Sequence, residues 1–111
     1  MKTLNFRQNL SELIRKGEKT TTWRLFDDKD LTTGDMVVFA VWETKQPFAE
    51  ATLTSVREVE FGKLAEKDWE GHERFASEKE MYDKYSLYYN TDVGPETKVK
   101  IINFVITKYL E

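Results

Sequence analysis

The sequence predicts an α+β fold in which a small, mostly antiparallel β-sheet curls into a barrel, with helices closing its ends. Runs rich in β-branched and aromatic residues lie close together, over residues 20–25, 36–42, 48–57 and 98–110. The second and fourth runs are apolar on both faces, which is typical of central strands. Helical spacing of apolar residues occurs before the first run and again between the third and fourth.

The composition is that of one globular domain, which we expect to span residues 1–111. Hydrophobic residues make up 40% of the chain and charged residues 33%, and this length supports a core of its own. The chain has no cysteine and a single histidine, His72, so we expect no disulfide, no metal site and no cofactor. The longest apolar run, from Met36 to Trp42, is too short to cross a membrane. We therefore expect a cytoplasmic monomer without membrane partners.

Charge is distributed unevenly along the chain. Residues 1–24 carry a net charge of +4, and the remaining residues carry −7. An extended nucleic-acid interface favours a basic domain, because neutralised phosphates supply most of that affinity. The excess of positive charge in residues 1–24 instead favours a small anionic or polar ligand held near this first quarter of the chain. A charge asymmetry of this size also arises by chance.

A helix is predicted near the N-terminus, over residues 8–16. Three apolar residues recur there at helical spacing and make one face: Leu10, Leu13 and Ile14. Gly17 follows at the position where a left-handed cap ends many helices. Residues 4–6 before it form either a short strand or the entry to this helix.

The segment before the last strand is predicted to contain two helices. The first covers residues 61–69, with one apolar side and an end at Gly71. The second begins after Ser77, because a hydroxyl followed three residues later by Glu80 matches a capping box, and it reaches about Tyr88.

Aromatic residues allow two interpretations. Trp23, Trp42 and Trp69 serve equally well as core residues or as platforms that stack on a base. For Trp42 the core is favoured, because it ends a fully apolar run. Three tyrosines near the end of the second insert helix either line a pocket mouth or pack that helix on the barrel: Tyr85, Tyr88 and Tyr89.

The densest group of polar side chains is the segment GEKTTTWR at residues 17–24. Side chains alternate along a strand, so Thr20, Thr22 and Arg24 share one face, and Lys19 joins them only from a turn outside the strand. A threonine hydroxyl needs a base to act as a nucleophile, and a lysine serves when burial lowers its pKa. The residues alone favour a structural alternative, in which Lys19 is solvated and Arg24 pairs with an acid.

A second polar cluster lies at residues 70–74, between the two helices of the insert. A carboxylate in such a loop is free to point into the mouth between barrel and insert, where it could exchange a proton with a ligand. The residues alone favour an ordinary acidic surface loop with a surface histidine at His72.

The pattern G-x-K-T-x-T-x-R at residues 17–24 follows the apolar helix and precedes TGDMVVF at residues 33–39. The segments DWEGHE at 68–73 and TKVKIINF at 97–104 continue the match. Together they resemble the ASCH domain family of the PUA-like superfamily over nearly the whole chain. The resemblance implies a PUA-like barrel of five or six strands, with one N-terminal helix and a helical insert before the last strand.

The resemblance also implies a cleft that binds RNA or a nucleoside. Some ASCH proteins are amidohydrolases that remove the acetyl group from acetylcytidine with a lysine, a threonine and a glutamate. By motif position these residues correspond to Lys19, Thr22 and Glu73, with Glu70 as the second choice for the glutamate. Four residues are expected to contact the ligand: Thr20, Arg24, Glu70 and His72.

Two classes of function follow. The first is a hydrolase acting on an acylated cytidine, and the motif favours it because a binding module has no evident need for a lysine and a threonine at that spacing. The second is a non-catalytic module that binds unpaired RNA or a small regulatory metabolite. Other ASCH proteins are ribonucleases, which is a further alternative that the resemblance leaves open.

Overall fold

The computed structural model describes residues 1–110 and confirms the α+β class. Five strands and two α-helices follow one another along the chain: β1 (Lys2–Phe6), α1 (Gln8–Arg15), β2 (Thr21–Leu25), β3 (Met36–Val41), β4 (Pro47–Glu60), α2 (Glu78–Tyr89) and β5 (Lys98–Tyr109). Within residues 1–110, no helix is long and apolar enough to cross a membrane.

The strands form one curled sheet in the order β1-β3-β4-β5-β2. β1 pairs with β3 in parallel, and the other three pairings are antiparallel. The first half of β4 pairs with β3, and β4 also pairs with β5 along most of its length, with register shifts near Glu50 and Leu53 that suit a bent strand. The sheet is a half-barrel, and a gap separates its two edge strands, β1 and β2.

Two groups of buried side chains cover opposite faces of β5. The barrel core lies within the curl and includes Phe39, Leu53, Ile102 and Phe104. The insert core lies on the other face, where α2 packs, and its members include Trp23, Leu25, Phe61, Met81, Tyr85, Val99 and Ile101. Side chains alternate along a strand, so β5 sends successive residues into different cores, as the prediction of a central strand requires.

Local signals at the helix ends work as the sequence indicates. Gly17 has a φ of +77° just after α1, which is the left-handed conformation predicted for its cap. At the start of α2, the Ser77 hydroxyl accepts the main-chain N–H of Glu80 at 3.1 Å. These caps fix where the chain leaves α1 toward β2 and where it enters α2.

The predicted first helix of the insert is wrong. Its residues form two short 3₁₀ turns, Phe61–Lys63 and Glu66–Trp69, separated by two extended residues, Leu64 with a ψ of 131° and Ala65 with a ψ of 164°. The Gly62 N–H donates to the Pro95 carbonyl at 2.8 Å, so this part of the chain is tied to the loop before β5. Glycine is also a weak helix former, and the apolar spacing reflects packing on β2 and α2 instead of an α-helix.

Trp42 is not a core residue, contrary to the prediction, because β3 ends at Val41 and Trp42 starts the following turn. Its side chain is 44% exposed, and its main-chain N–H donates to the Phe6 carbonyl at 2.7 Å. The apolar run therefore extends one residue beyond the paired strand. Val105 in β5 is likewise 55% exposed, so the second half of that strand is covered on one face only.

Candidate functional site

A pocket of about 260 Å³ opens at the gap between the edge strands β1 and β2. Asn5 and Phe6 line it from β1, and Thr22 and Arg24 line it from β2. The Arg24 Nη2 donates to the Asn5 carbonyl at 2.8 Å, and its guanidinium carbon lies 4.6 Å from the centre of the Phe6 ring. Arg24 is therefore the side chain that bridges the two edges.

The pocket lining combines positive charge with aromatic rings. It includes four cationic side chains and one acid: Arg7, Lys19, Arg24, Lys29 and Glu73. Its aromatic members are Phe6, Trp23, Trp42, Tyr85, Tyr88 and Tyr89. This protein has a formal net charge of −3, so the pocket is a local positive region of an acidic protein. Such a lining suits a planar ligand with partial negative charge.

Lys19 is a buried amine at the back of this pocket, only 2% exposed, and so is not the solvated lysine of the structural alternative. It lies in the irregular segment between the Gly17 turn and β2, which begins at Thr21, and so outside the strand, as a mechanism that combines it with Thr22 requires. Its Nζ donates to the Thr21 carbonyl at 2.9 Å and to Glu73 Oε1 at 2.5 Å. Burial lowers the pKa of Lys19, and the charge of Glu73 and its hydrogen bond oppose part of that shift.

Glu73 reaches Lys19 because the loop that carries it is hydrogen-bonded to the start of β2. The Gly71 carbonyl accepts the N–H groups of Thr20 at 2.8 Å and Thr21 at 3.1 Å. The Thr21 hydroxyl donates to the Glu70 carbonyl at 2.8 Å. Burial raises the pKa of Glu73, but the charge and hydrogen bond of Lys19 outweigh it and hold that pKa below its ordinary value.

Thr22 is buried and lines the same pocket as Lys19 and Glu73. Within residues 1–110, its hydroxyl makes no side-chain hydrogen bond, and the Lys19 amine is directed at Glu73 and the Thr21 carbonyl. The arrangement thus presents a hydroxyl whose hydrogen-bonding capacity is left for a ligand. Any proton transfer to Lys19 requires the amine to turn from its present partners.

Arg24 has no acidic partner in the described part of the chain, contrary to the structural alternative. Its Nε is buried and makes no hydrogen bond there either. Burial lowers the pKa of Arg24, with the opposing effect of nearby tyrosines and Glu73 being smaller. A guanidinium with spare donors at the edge of a pocket is suited to hold an oxygen that carries negative charge.

His72 is neutral and lies behind the pocket. Its ring stacks on Trp23 at 3.7 Å between ring centres, and Nδ1 lies 2.8 Å from the Glu73 carbonyl. Nε2 lies 3.4 Å from the Tyr85 hydroxyl. Burial, with a smaller effect of the Lys19 charge, lowers the pKa of His72 to about 3. The imidazole therefore packs the insert against β2 and fixes the main chain at Glu73.

The structure brings together four of the seven residues singled out from the sequence: Lys19, Thr22, Arg24 and Glu73. Thr20, Glu70 and His72 are outside the pocket lining. The Thr20 and Glu70 residues are exposed and contribute main-chain groups to the junction between loop and strand. The carboxylate that accepts a hydrogen bond from Lys19 belongs to Glu73, the first choice for the glutamate of the motif, and not to Glu70.

Several lining residues were not singled out from the sequence. Asn5 lines the pocket because it lies on the free edge of β1, and no local pattern reveals that. The Arg7 guanidinium carbon lies 5.2 Å from the ring centre of Trp42 and 5.5 Å from that of Tyr88. The positive charge of the first 24 residues was the one available signal for Arg7. The pocket mouth thus consists of Arg7 flanked by two exposed rings.

No protein-family model matches this sequence, and no curated protein matches it significantly. Solved structures are similar in fold. A protein of the DUF984 family from Enterococcus faecalis V583 has a TM-score of 0.73 at 18% identity, over 92% of this chain and 72% of its own. An ASCH domain from Lactobacillus crispatus JV V101 has a TM-score of 0.67 at 17% identity, over 98% and 81% respectively. A variant ASCH protein of Zymomonas mobilis has a TM-score of 0.62 at 16% identity, over 98% and 72%.

These similarities show the fold of the chain, a small curled β-sheet with two helices that solved ASCH domains share. The fold is thus that of ASCH domains, as the resemblance in sequence implied.

Proposed function

We propose that this pocket binds an acylated cytidine and hydrolyses its amide, with Thr22 as nucleophile, Lys19 as base and Glu73 as the partner that positions Lys19. The observation that supports this most directly is the buried amine of Lys19, held 2.5 Å from Glu73 Oε1 in the pocket that Thr22 lines. A lysine amine is a useful base only when its pKa falls toward neutrality, and burial acts in that direction here.

The first half of the reaction is acyl transfer to Thr22. The threonine oxygen forms a bond to the amide carbonyl carbon, and its proton passes to the neutral amine of Lys19. The tetrahedral intermediate collapses, the carbon–nitrogen bond breaks, and Lys19 returns the proton to the departing amine of cytidine. For this step Nζ turns from its present position toward the Thr22 hydroxyl, and the carboxylate of Glu73 stabilises the ammonium that forms.

The second half is hydrolysis of the threonine ester. Water attacks the ester carbonyl, and Lys19 takes one proton from that water. The bond between the carbonyl carbon and the Thr22 oxygen then breaks, and Lys19 passes the proton to that oxygen, which restores the free hydroxyl. Acetate is released, so that amide and water are converted to amine and carboxylic acid. Arg24 has an unpaired Nε on the face of β2 that carries Thr22 and would stabilise the negative oxygen in both halves, an effect worth about 3–4 kcal/mol where single donors have been removed.

The test is release of acetate from N4-acetylcytidine by purified full-length variants. We expect Lys19→Ala, Thr22→Ala and Glu73→Ala each to lower kcat/KM by at least about 100-fold, since each removes a group that acts on the reacting atoms. Glu70→Ala is the matched control, because it removes a neighbouring carboxylate outside the pocket lining, and it should retain activity. Unchanged turnover in all three pocket variants would rule out the hydrolase.

A non-catalytic module that binds unpaired RNA is the second candidate function. Two observations favour it: the Lys19 amine is directed at Glu73 and not at Thr22, and exposed rings of Trp42 and Tyr88 flank Arg7 at the mouth. It predicts binding of short single-stranded RNA whose affinity falls steeply with salt. The same titration followed by electrophoresis of the RNA detects the cleavage that a ribonuclease would produce.

A further inference from the structure

The hydrogen-bonding pattern between β2 and β5 shows which main-chain groups of β2 face the gap. The Phe104 N–H donates to the Thr20 carbonyl at 3.2 Å, directly opposite it in the antiparallel register. Hydrogen-bonded and non-hydrogen-bonded pairs alternate along such a ladder. Thr22 therefore bonds to β5, whereas the main-chain groups of Trp23 point the other way, toward the free edge.

The free edge of β2 has partners at both ends. The Thr21 N–H donates to the Gly71 carbonyl at 3.1 Å, and the Thr21 carbonyl accepts from Lys19 Nζ at 2.9 Å. The Leu25 N–H donates to the Tyr89 hydroxyl at 3.0 Å. Between them, the N–H and C=O of Trp23 have no partner within residues 1–110 outside the strand ladder.

Trp23 is only 2% exposed, so these two main-chain groups are not simply open to bulk solvent. Its indole is directed into the insert core, where it stacks on His72 and donates to the Asp68 carbonyl at 3.3 Å. Trp23 nevertheless lines the pocket, which its main chain can reach from the edge of the strand. A buried N–H and C=O without partners are costly, and a ligand that pairs with both gains correspondingly.

We infer that the Trp23 main chain binds the hydrogen-bonding edge of the ligand's base, as an added β-strand would, with N–H donating to a ring nitrogen and C=O accepting from an adjacent amine. In an acylated cytidine these groups are N3 and N4–H, which lie side by side. The inference rests on the proposed ligand class. This binding mode places the nitrogen of the amide bond to be cleaved between Thr22 and Arg24. The side chains of these two residues share one face of β2, on either side of Trp23.

The experiment is an NMR titration of the ¹⁵N-labelled full chain with cytidine, which the proposed reaction releases and which is therefore not turned over. The Trp23 amide should move downfield, and its exchange with solvent should slow at least tenfold at saturation. The Thr21 and Leu25 amides are internal controls, since both already have partners and should show little added protection. 3-Deazacytidine lacks the ring acceptor and should bind at least tenfold more weakly than cytidine.

Saturation by cytidine without protection of the Trp23 amide overturns the inference, as does equal affinity for 3-deazacytidine or the absence of any nucleoside binding. Repeating the titration with N4-acetylcytidine and the Thr22→Ala variant separates this inference from the proposed reaction. If wild-type protein releases no acetate but the Trp23 amide is still protected, the hydrolase fails and the mode of base recognition stands. If acetate is released but the Trp23 amide is not protected, the mode of base recognition fails and the hydrolase stands.

Discussion

The barrel core and the insert core lie against opposite faces of β5, yet they bury different chemistry. The barrel core consists of aliphatic and phenyl side chains, with Phe39 and Leu53 fully buried. The insert core buries indole and phenol groups, and the buried imidazole of His72 stacks on its Trp23. Each of Trp23, Tyr85 and His72 has a polar contact. The buried pair of Lys19 and Glu73 is linked to the insert core through His72, whose ring stacks on Trp23 and whose Nδ1 lies 2.8 Å from the Glu73 carbonyl.

This difference indicates a division of roles between the two faces of the sheet. A core of pure hydrocarbon gives stability without fixing the orientation of any polar group. Hydrogen bonds and stacked rings in the insert core instead constrain where Glu73 meets Lys19. We therefore expect perturbations of the barrel core away from Phe6, which lines the pocket, to change stability alone. Perturbations of the insert core should change stability and ligand binding together.

The largest expected effect is the pH dependence that His72, beside the insert core, gives to the unfolding free energy of the protein. The pKa of His72 is lowered from 6.5 to about 3, so the unfolded chain binds a proton in a pH range where the folded protein does not. The contribution of neutral His72 to the unfolding free energy is therefore fully present above pH 6.5. It is lost as the pH decreases toward 3, by at most about 5 kcal/mol.

Urea unfolding of wild type and His72→Gln at several pH values measures this effect. The difference between the two curves isolates His72 from carboxylates such as Glu73, whose lowered pKa also costs stability in acid. The variant should lose less stability between pH 6.5 and 4. An imidazole that titrates near pH 6.5 in the folded protein would contradict the prediction.

Cavity-creating substitutions compare the two cores directly. Leu53→Ala in the barrel core and Met81→Ala in the insert core should each lower the unfolding free energy by about 3 kcal/mol. Met81 packs in the cluster that contains Tyr85, which lines the pocket, so that variant should also weaken nucleoside binding. Equal binding losses in both variants, measured by calorimetry, would remove the distinction between the cores.

The buried ion pair should show strong coupling. Lys19→Met leaves Glu73, which is 20% exposed, without its cation and should cost about 2 kcal/mol of stability. Adding Glu73→Gln should recover most of that loss without restoring acetate release, because stability needs only a neutral pair, whereas the proposed reaction needs both groups. Thermal unfolding of the two single variants and the double variant gives the coupling; strictly additive effects would argue against it.

The smallest effect is expected at the start of α2, outside both cores. Ser77→Ala removes the acceptor of the Glu80 N–H and should lower stability by about 1 kcal/mol. Ser77→Asp is the matched control, because it retains an acceptor at the cap. Thermal unfolding should rank wild type and Ser77→Asp together above Ser77→Ala, with acetate release unchanged in all three.

Local patterns predicted the features that depend on neighbouring residues. The Ser77 cap, the Gly17 turn and the position of Lys19 outside β2 are all set within a few residues of the chain. The contact between Lys19 and Glu73 spans 54 positions, and no residue pattern alone reveals it, which is why the motif resemblance was needed to link them. The Trp42 prediction failed because apolar character does not show where strand pairing stops.

Gly71 attaches the loop of Glu73 to β2 through its main chain. It has a φ of +75°, and a Cβ there would overlap the Thr20 hydroxyl and lie 3.3 Å from the Thr20 nitrogen, so this position requires glycine. The two hydrogen bonds that it accepts come from the main chain. The loop is therefore anchored independently of which side chain stands at residue 73. Replacing that side chain offers a route to new chemistry at the same pocket without rebuilding the attachment of the loop.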